Sequence, residues 1–180
     1  MLSPDTAPTL HLFCGKPASG KSTLADRYAE RPGSILLRED LWLSGLYGDQ
    51  MSTLADFVRC SSLLRKTITP HAVALLQSGL SVVLDFHANT KESRQWILAI
   101  ADKAQCGHQL HYFDVPDEVC KARLHQRNLS GEHEFSVSEA EFDRIASHFQ
   151  PPAEDEPLNL KIHTAGDQAS GKTKTAFSAC

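Results

Sequence analysis

Short apolar runs alternate along this chain with longer stretches in which apolar residues recur every three or four positions. The runs are TLHLFC (9–14), SILLR (34–38), LSVVLDF (80–86), HQLHYFDV (108–115) and LNLKIH (158–163). The third is almost continuously apolar, as a strand covered on both faces should be. Helical spacing is carried by Leu24, Ala25, Tyr28 and Ala29, and again by Leu54, Phe57, Val58, Leu63 and Leu64 within 51–77. It returns in Trp96, Ile97, Ile100 and Ala101, in Val119, Ala122 and Leu124 after Pro116, and in 138–149, which opens with Ser and Glu capping chemistry. Pro70 should end or kink the 51–77 helix, because it lacks an amide proton and crowds the preceding turn. Strand–helix alternation of this kind predicts an α/β fold, a parallel sheet with helices on both faces.

Composition narrows the class without naming it. A length of 180 residues with 41% hydrophobic and 22% charged residues fits one globular domain. The net charge of −4 gives no electrostatic reason to expect a nucleic-acid or membrane surface, although a local basic groove is compatible with it. No apolar run reaches the roughly 18 residues of a membrane span. The N-terminal MLSPDTAP reads as a short flexible leader without secretion features. Cys14, Cys60, Cys106, Cys120 and Cys180 are scattered, with no C-x-x-C pair, which predicts reduced thiols and a cytoplasmic protein. The histidines lack ligand spacing, so a metal held by side chains alone is not expected.

Two stretches fit the phosphate-loop pattern G-x-x-x-x-G-K-[ST]: GKPASGKS at 15–22 and GDQASGKT at 166–173. The first follows a predicted strand and opens a predicted helix, the context that makes the pattern a site. There Gly15, Lys16, Pro17, Ala18, Ser19 and Gly20 would wrap the phosphates of ATP with their amides, joined by the first helical residues through Thr23. Lys21 would reach the β- and γ-phosphates and Ser22 would ligate Mg²⁺. After the second stretch only seven residues remain, too few for a supported helix, so 165–180 reads as a flexible tail.

Three further features surround the first loop. Glu39 and Asp40 end the second strand, where Asp40 can accept the proton of an attacking hydroxyl; both also suit the first turn of a helix. Asp85 ends the third strand and could hold Mg²⁺ through water or orient an acceptor. Asn89, Thr90 and Arg94 follow it, and Asn89 or Thr90 would serve equally as a helix cap. Arg123 and Arg127 lie four apart on one helix face, placed to fold over phosphates or simply to be solvated.

Together, GKPASGKS, the ED after the second strand, VVLDFHANT…R after the third, R-x-x-x-R and FQPP resemble the P-loop kinase superfamily. The branch is the one holding polynucleotide 5′-hydroxyl kinases, gluconate kinases, chloramphenicol phosphotransferases and zeta-toxin-like kinases. The resemblance implies a P-loop NTPase three-layer fold over 1–164, with a five-stranded parallel sheet and a mobile lid at about 123–138. It implies an ATP- and Mg²⁺-dependent phosphotransferase with Lys21, Asp40, Arg123 and Arg127 as catalytic residues and a small-molecule hydroxyl acceptor. The acceptor side would draw on Glu39, Asp40, Tyr47, Arg59, Arg65, Asp85, Asn89 and Arg94. Kinases of polynucleotide ends commonly carry an arginine three residues beyond the catalytic aspartate; here Leu43 stands there, which disfavours a nucleic-acid acceptor. A polynucleotide or RNA 5′-hydroxyl kinase is the alternative, as is an ATP-hydrolysing switch, against which Phe86 rather than an acid follows Asp85.

Overall fold

The computed structural model describes residues 7–130, 137–166 and 174–175. The five apolar runs form β1 (Thr9–Cys14), β2 (Ser34–Arg38), β3 (Ser81–His87), β4 (Gly107–Asp114) and β5 (Leu160–Thr164). All five pair in parallel, in the order β2-β3-β1-β4-β5, as the strand–helix alternation required. A two-residue β6 (Lys174–Thr175) lies antiparallel on the β5 edge, within a segment the sequence reading leaves without structure. The lid expected at 123–138 is described in part: 123–130 continue a helix, and 131–136 lie outside the described residues. Of the second phosphate-loop stretch, only Gly166 is described.

The helices are α1 (Lys21–Ala29), α2 (Glu39–Tyr47), α3 (Leu54–Gln77), α4 (Lys91–Ala104), α5 (Asp117–Ser130) and α6 (Glu139–Ser147). They divide between the sheet faces because strand side chains alternate. Leu10, Leu12 and Cys14 of β1 point to the face packed by α2, α3 and α4, with Leu43, Leu64, Ile68 and Ile97 in one buried cluster. Phe13 points to the other, where Ala25 and Tyr28 of α1, Cys120 and Leu124 of α5 and Phe142 of α6 meet.

Pro70 does not end α3. The helix runs unbroken to Gln77 because Leu64, Ile68, Ala72 and Leu76 form a buried stripe spanning both sides of the proline. Pro70 itself is exposed, so the carbonyl it leaves without an amide partner lies on the solvent side.

The α1 face of the sheet carries a polar row. His11, His111 and His163 stand on β1, β4 and β5, with His11 Nδ1 3.3 Å from His111 Nε2 and His111 Nδ1 3.1 Å from His163 Nε2. Phe13 stacks on His111 and Phe113 on His163. Burial pushes His11 down to about 4 and His111 to about 2, so both are neutral at neutral pH.

Candidate active site

β1 is the central strand, and the chain leaves its C-terminal end at the point where the sheet order reverses, the usual ligand crevice of such folds. Gly15 begins the loop under tight packing: a Cβ there would lie 2.8 Å from Phe113 Cβ and 2.7 Å from Ser19 Oγ. Ala18 (φ 56) and Gly20 (φ 104) take left-handed conformations, turning the loop so that successive amides face one side. Gly20 is the N-cap of α1; no side chain caps that helix and no acid stands in its first turn. Those amides and the positive helix end are therefore available to an anion.

The loop is braced from both sides. Asn89 Oδ1 accepts a 2.8 Å bond from the Gly15 amide, so Asn89 holds the loop itself. Lys16 pairs with Asp117 at the start of α5. Lys21 Nζ donates to the carbonyls of Gly15 and Lys16, each at 2.7 Å. Burial lowers the Lys21 pKa, opposed chiefly by the charge of Asp85.

The loop forms one wall of a cleft of about 1630 Å³, which Lys21, Ser22, Thr23, Glu39, Asp40, Asp85, Arg123 and Arg127 all line. Asp85 pairs across strands with Arg38, whose Nε donates to Oδ2 at 3.1 Å. This pairing sits where β1 skips register on β3, from Leu12↔Leu84 to Phe13↔His87. From α5, Arg123 Nη1 reaches the Ser19 carbonyl at 3.4 Å. Burial lowers the Arg127 pKa and the charge of Asp40 opposes that shift; both residues line the cleft.

Glu39 and Asp40, neighbours at the start of α2, have different surroundings. Glu39 is 1% exposed and accepts from Ser61 Oγ at 2.5 Å and His87 Nδ1 at 2.9 Å, with Arg65 Nε 3.9 Å away. Burial raises its pKa, but the His87 hydrogen bond and charge, followed by Ser61 and Arg65, bring it down to about 2. Asp40 is only half-buried and opens on the cleft.

Other candidates have different surroundings. Arg94 is 1% exposed: Nε and Nη2 grip the two oxygens of Glu156 at 2.7 Å each, and Nη1 donates to the carbonyls of Ala88 and Gln150. With Pro151 O taking the last donor at 3.4 Å, its five N–H groups tie the FQPP turn to the sheet and not to an acceptor. Tyr47 packs against the core at the end of α2, and Arg59 is exposed beside Asp56 at 3.8 Å. Neither lines the cleft. Thr90 caps α4 through the Ser93 amide while also lining the cleft.

His87 received no role from the sequence. It lines the cleft, and although burial lowers its pKa, the Glu39 hydrogen bond and charge raise it above the ordinary value. The available signal was its period-two spacing from Asp85 at the end of an otherwise apolar strand.

A family model described as an AAA domain (AAA_33) matches residues 10–152. The chain belongs to that family. No curated protein sequence matches it significantly. Among solved structures it is similar to the APS kinase CysC of Mycobacterium tuberculosis in complex with AMPPNP and APS, at 22% identity and a TM-score of 0.59, over 92% of this chain and 95% of that one. It is similar to a Chloroflexus aurantiacus protein described provisionally as a kinase (18% identity, TM-score 0.69, 92% and 89% covered). A sugar kinase of Janibacter sp. shows the same arrangement (14% identity, TM-score 0.59, 88% and 86% covered). At these identities the likeness speaks for the fold, a P-loop NTPase fold shared with kinases.

Among the described residues no helix is long and apolar enough to cross a membrane, and no group of three or more His, Cys, Asp or Glu is arranged to hold a metal. A Mg²⁺ ion bound between nucleotide and protein needs fewer protein ligands. The donor set fits it, since Ser22 Oγ and the Asp85 carboxylate are hard oxygens on one cleft and Arg38 engages the Oδ2 side of Asp85.

Proposed function

We propose that this protein is an ATP-dependent kinase that transfers the γ-phosphoryl group to a hydroxyl of a small-molecule acceptor. The observation that carries the reading is the shared cleft: the uncapped start of α1 with Lys21 on one side, and the accessible carboxylate of Asp40 on the other. The loop amides bind the β- and γ-phosphates, and Lys21 exchanges its two carbonyl bonds for phosphate oxygens. Asp40 takes the proton as the acceptor oxygen bonds to the γ-phosphorus and the bond to the β-phosphate oxygen breaks, leaving ADP. Arg123 and Arg127 neutralise charge on the moving phosphoryl group. Mg²⁺, held by Ser22 and Asp85, would neutralise phosphate charge when bound.

The test is ADP release measured with and without acceptors, across sugars, sugar acids, antibiotics, nucleosides and 5′-hydroxyl oligonucleotides. Acceptor-dependent release is expected from a small hydroxylated compound. Release that no acceptor accelerates would refute the kinase reading in favour of a hydrolysing switch, and response to oligonucleotides alone would refute the small-molecule acceptor.

A further inference from the structure

One charged group in the cleft takes no part in the transfer chemistry above. Arg65 of α3 and His87 at the end of β3 converge on opposite oxygens of the same buried carboxylate. Glu39 Oε1 lies 3.9 Å from Arg65 Nε, while Oε2 is 2.9 Å from His87 Nδ1 and 3.4 Å from the His87 amide. Ser61 donates to Oε1 at 2.5 Å, so the carboxylate is fixed from three directions. The Arg65 guanidinium lies over the Trp96 ring at 4.8 Å, and the Trp96 indole is held by Thr69 at 3.0 Å. Both cations are thus oriented from behind by rigid elements. In front they stay open, Arg65 with 27% and His87 with 45% of the side chain exposed, on the same cleft as Asp40.

Charges of both signs surround this pair. Lys21 and Asp40 face His87 with opposite signs, and Asp85, on the same strand, is paired with Arg38. Glu39 approaches Arg65 at Nε, 3.9 Å away, and Arg65 also lines the cleft. Met51, Phe57 and Val58 wall the same end of the cleft with apolar surface.

We infer that Arg65 and His87, aligned on Glu39, form an anion seat, and that the acceptor is an alcohol carrying an oxyanion group such as a carboxylate, phosphate or sulfate. The inference rests on the kinase reading for the word acceptor; the seat itself does not. Arg65 binds the oxyanion with the outer edge of its guanidinium, a geometry suited to two oxygens. His87 contributes through the ring nitrogen that Glu39 leaves unused. Seating the anion there holds the rest of a small acceptor toward Asp40.

The test uses the full chain loaded with Mg²⁺ and AMPPNP, titrated with sulfate at constant ionic strength while the His87 ring resonances are followed by NMR. Saturable shifts of those resonances on sulfate addition are expected. Arg65→Met should weaken sulfate binding by about tenfold or more, the scale of a lost charged hydrogen bond, whereas Arg65→Lys should recover only part of it, because an ammonium does not reproduce the guanidinium fork. His87 resonances unmoved by sulfate, or equal sulfate affinity in Arg65→Met, would overturn the seat. AMPPNP binding is measured first in the same samples. Its failure would overturn the kinase reading alone, because loss of the His87 response in Arg65→Met identifies the seat with or without nucleotide. In turnover, Arg65→Met should raise KM for an anionic acceptor far more than it lowers kcat; a neutral alcohol as the best substrate, indifferent to Arg65, would overturn the acceptor class.

Discussion

Replacing Glu39 by glutamine should weaken the fold and lower the His87 pKa together, because one carboxylate does both jobs. Its pKa falls from 4.5 to about 2 in the folded chain. At roughly 1.4 kcal/mol per unit, that shift corresponds to about 3 kcal/mol of native-state stabilisation. His87 is 45% exposed, so solvent screens part of the interaction and about 2 kcal/mol is the better expectation. Because the native Glu39 pKa is depressed, the stabilisation is present above about pH 4.5 and is lost as pH falls toward 2. Because the native His87 pKa is raised, its share is present below 6.5 and is lost as pH rises through the raised value. The difference between wild type and Glu39→Gln should therefore be largest between about pH 4.5 and 6.5 and shrink on either side. Urea unfolding at pH 6 measures it; with slopes of ~1–3 kcal/mol/M, the midpoint should drop by roughly 1 M. A midpoint within about 0.3 M of wild type at unchanged slope, with the His87 titration unmoved, would refute the reasoning.

Four other outcomes are expected. Lys21→Ala should abolish most transfer and weaken binding of a fluorescent ATP analogue; full turnover at saturating ATP would remove the loop at 15–22 as the site. Asp40→Asn should keep nucleotide affinity and cut transfer by roughly 10²-fold or more, and a mild effect beside a severe one for Glu39→Gln would shift the base role by one residue. Arg123→Ala and Arg127→Ala should lower kcat more than nucleotide affinity, while equal losses would make them ground-state clamps. His11 and His111, held neutral to about 4 and about 2, should cost stability as pH falls below 6.5, because the unfolded chain takes up protons the native row refuses. Urea midpoints that stay flat from pH 6.5 to 4.5, or that fall as steeply in His111→Phe, would show that the row does not refuse protons.

The strands were legible because a parallel sheet covered on both faces needs nearly continuous apolar runs, and β1 to β5 fall on the five that the chain contains. The phosphate loop was legible because its glycines, lysine and serine are required by backbone path and charge at fixed offsets. Side chains whose role depends on which way a helix turns were not. Arg94 and Arg65 are both arginines on helices flanking the cleft, yet Arg94 finds Glu156, 62 positions away, while Arg65 opens on the cleft over Trp96. No local spacing encodes a partner that distant. Pro70 misled for the same reason: its local cost is real, but the buried stripe from Leu64 to Leu76 outweighs it.

Glu39 and Asp40 show how far apart two identical charges can be driven by one step along the chain. Both begin α2, and consecutive helical residues differ by about 100° in direction. That rotation sends Glu39 to Ser61, His87 and Arg65 and leaves Asp40 half-buried on the cleft. A carboxylate held at about 2, 1% exposed and engaged by three partners is a poor proton acceptor, since its anion is already stabilised. Its neighbour Asp40 is half-buried and shares the cleft with Lys21. On the proposed reading, Asp40 takes the proton and Glu39 holds Arg65 and His87 where they would seat the acceptor. From the letters E and D in succession, either assignment was available; burial is what separates them.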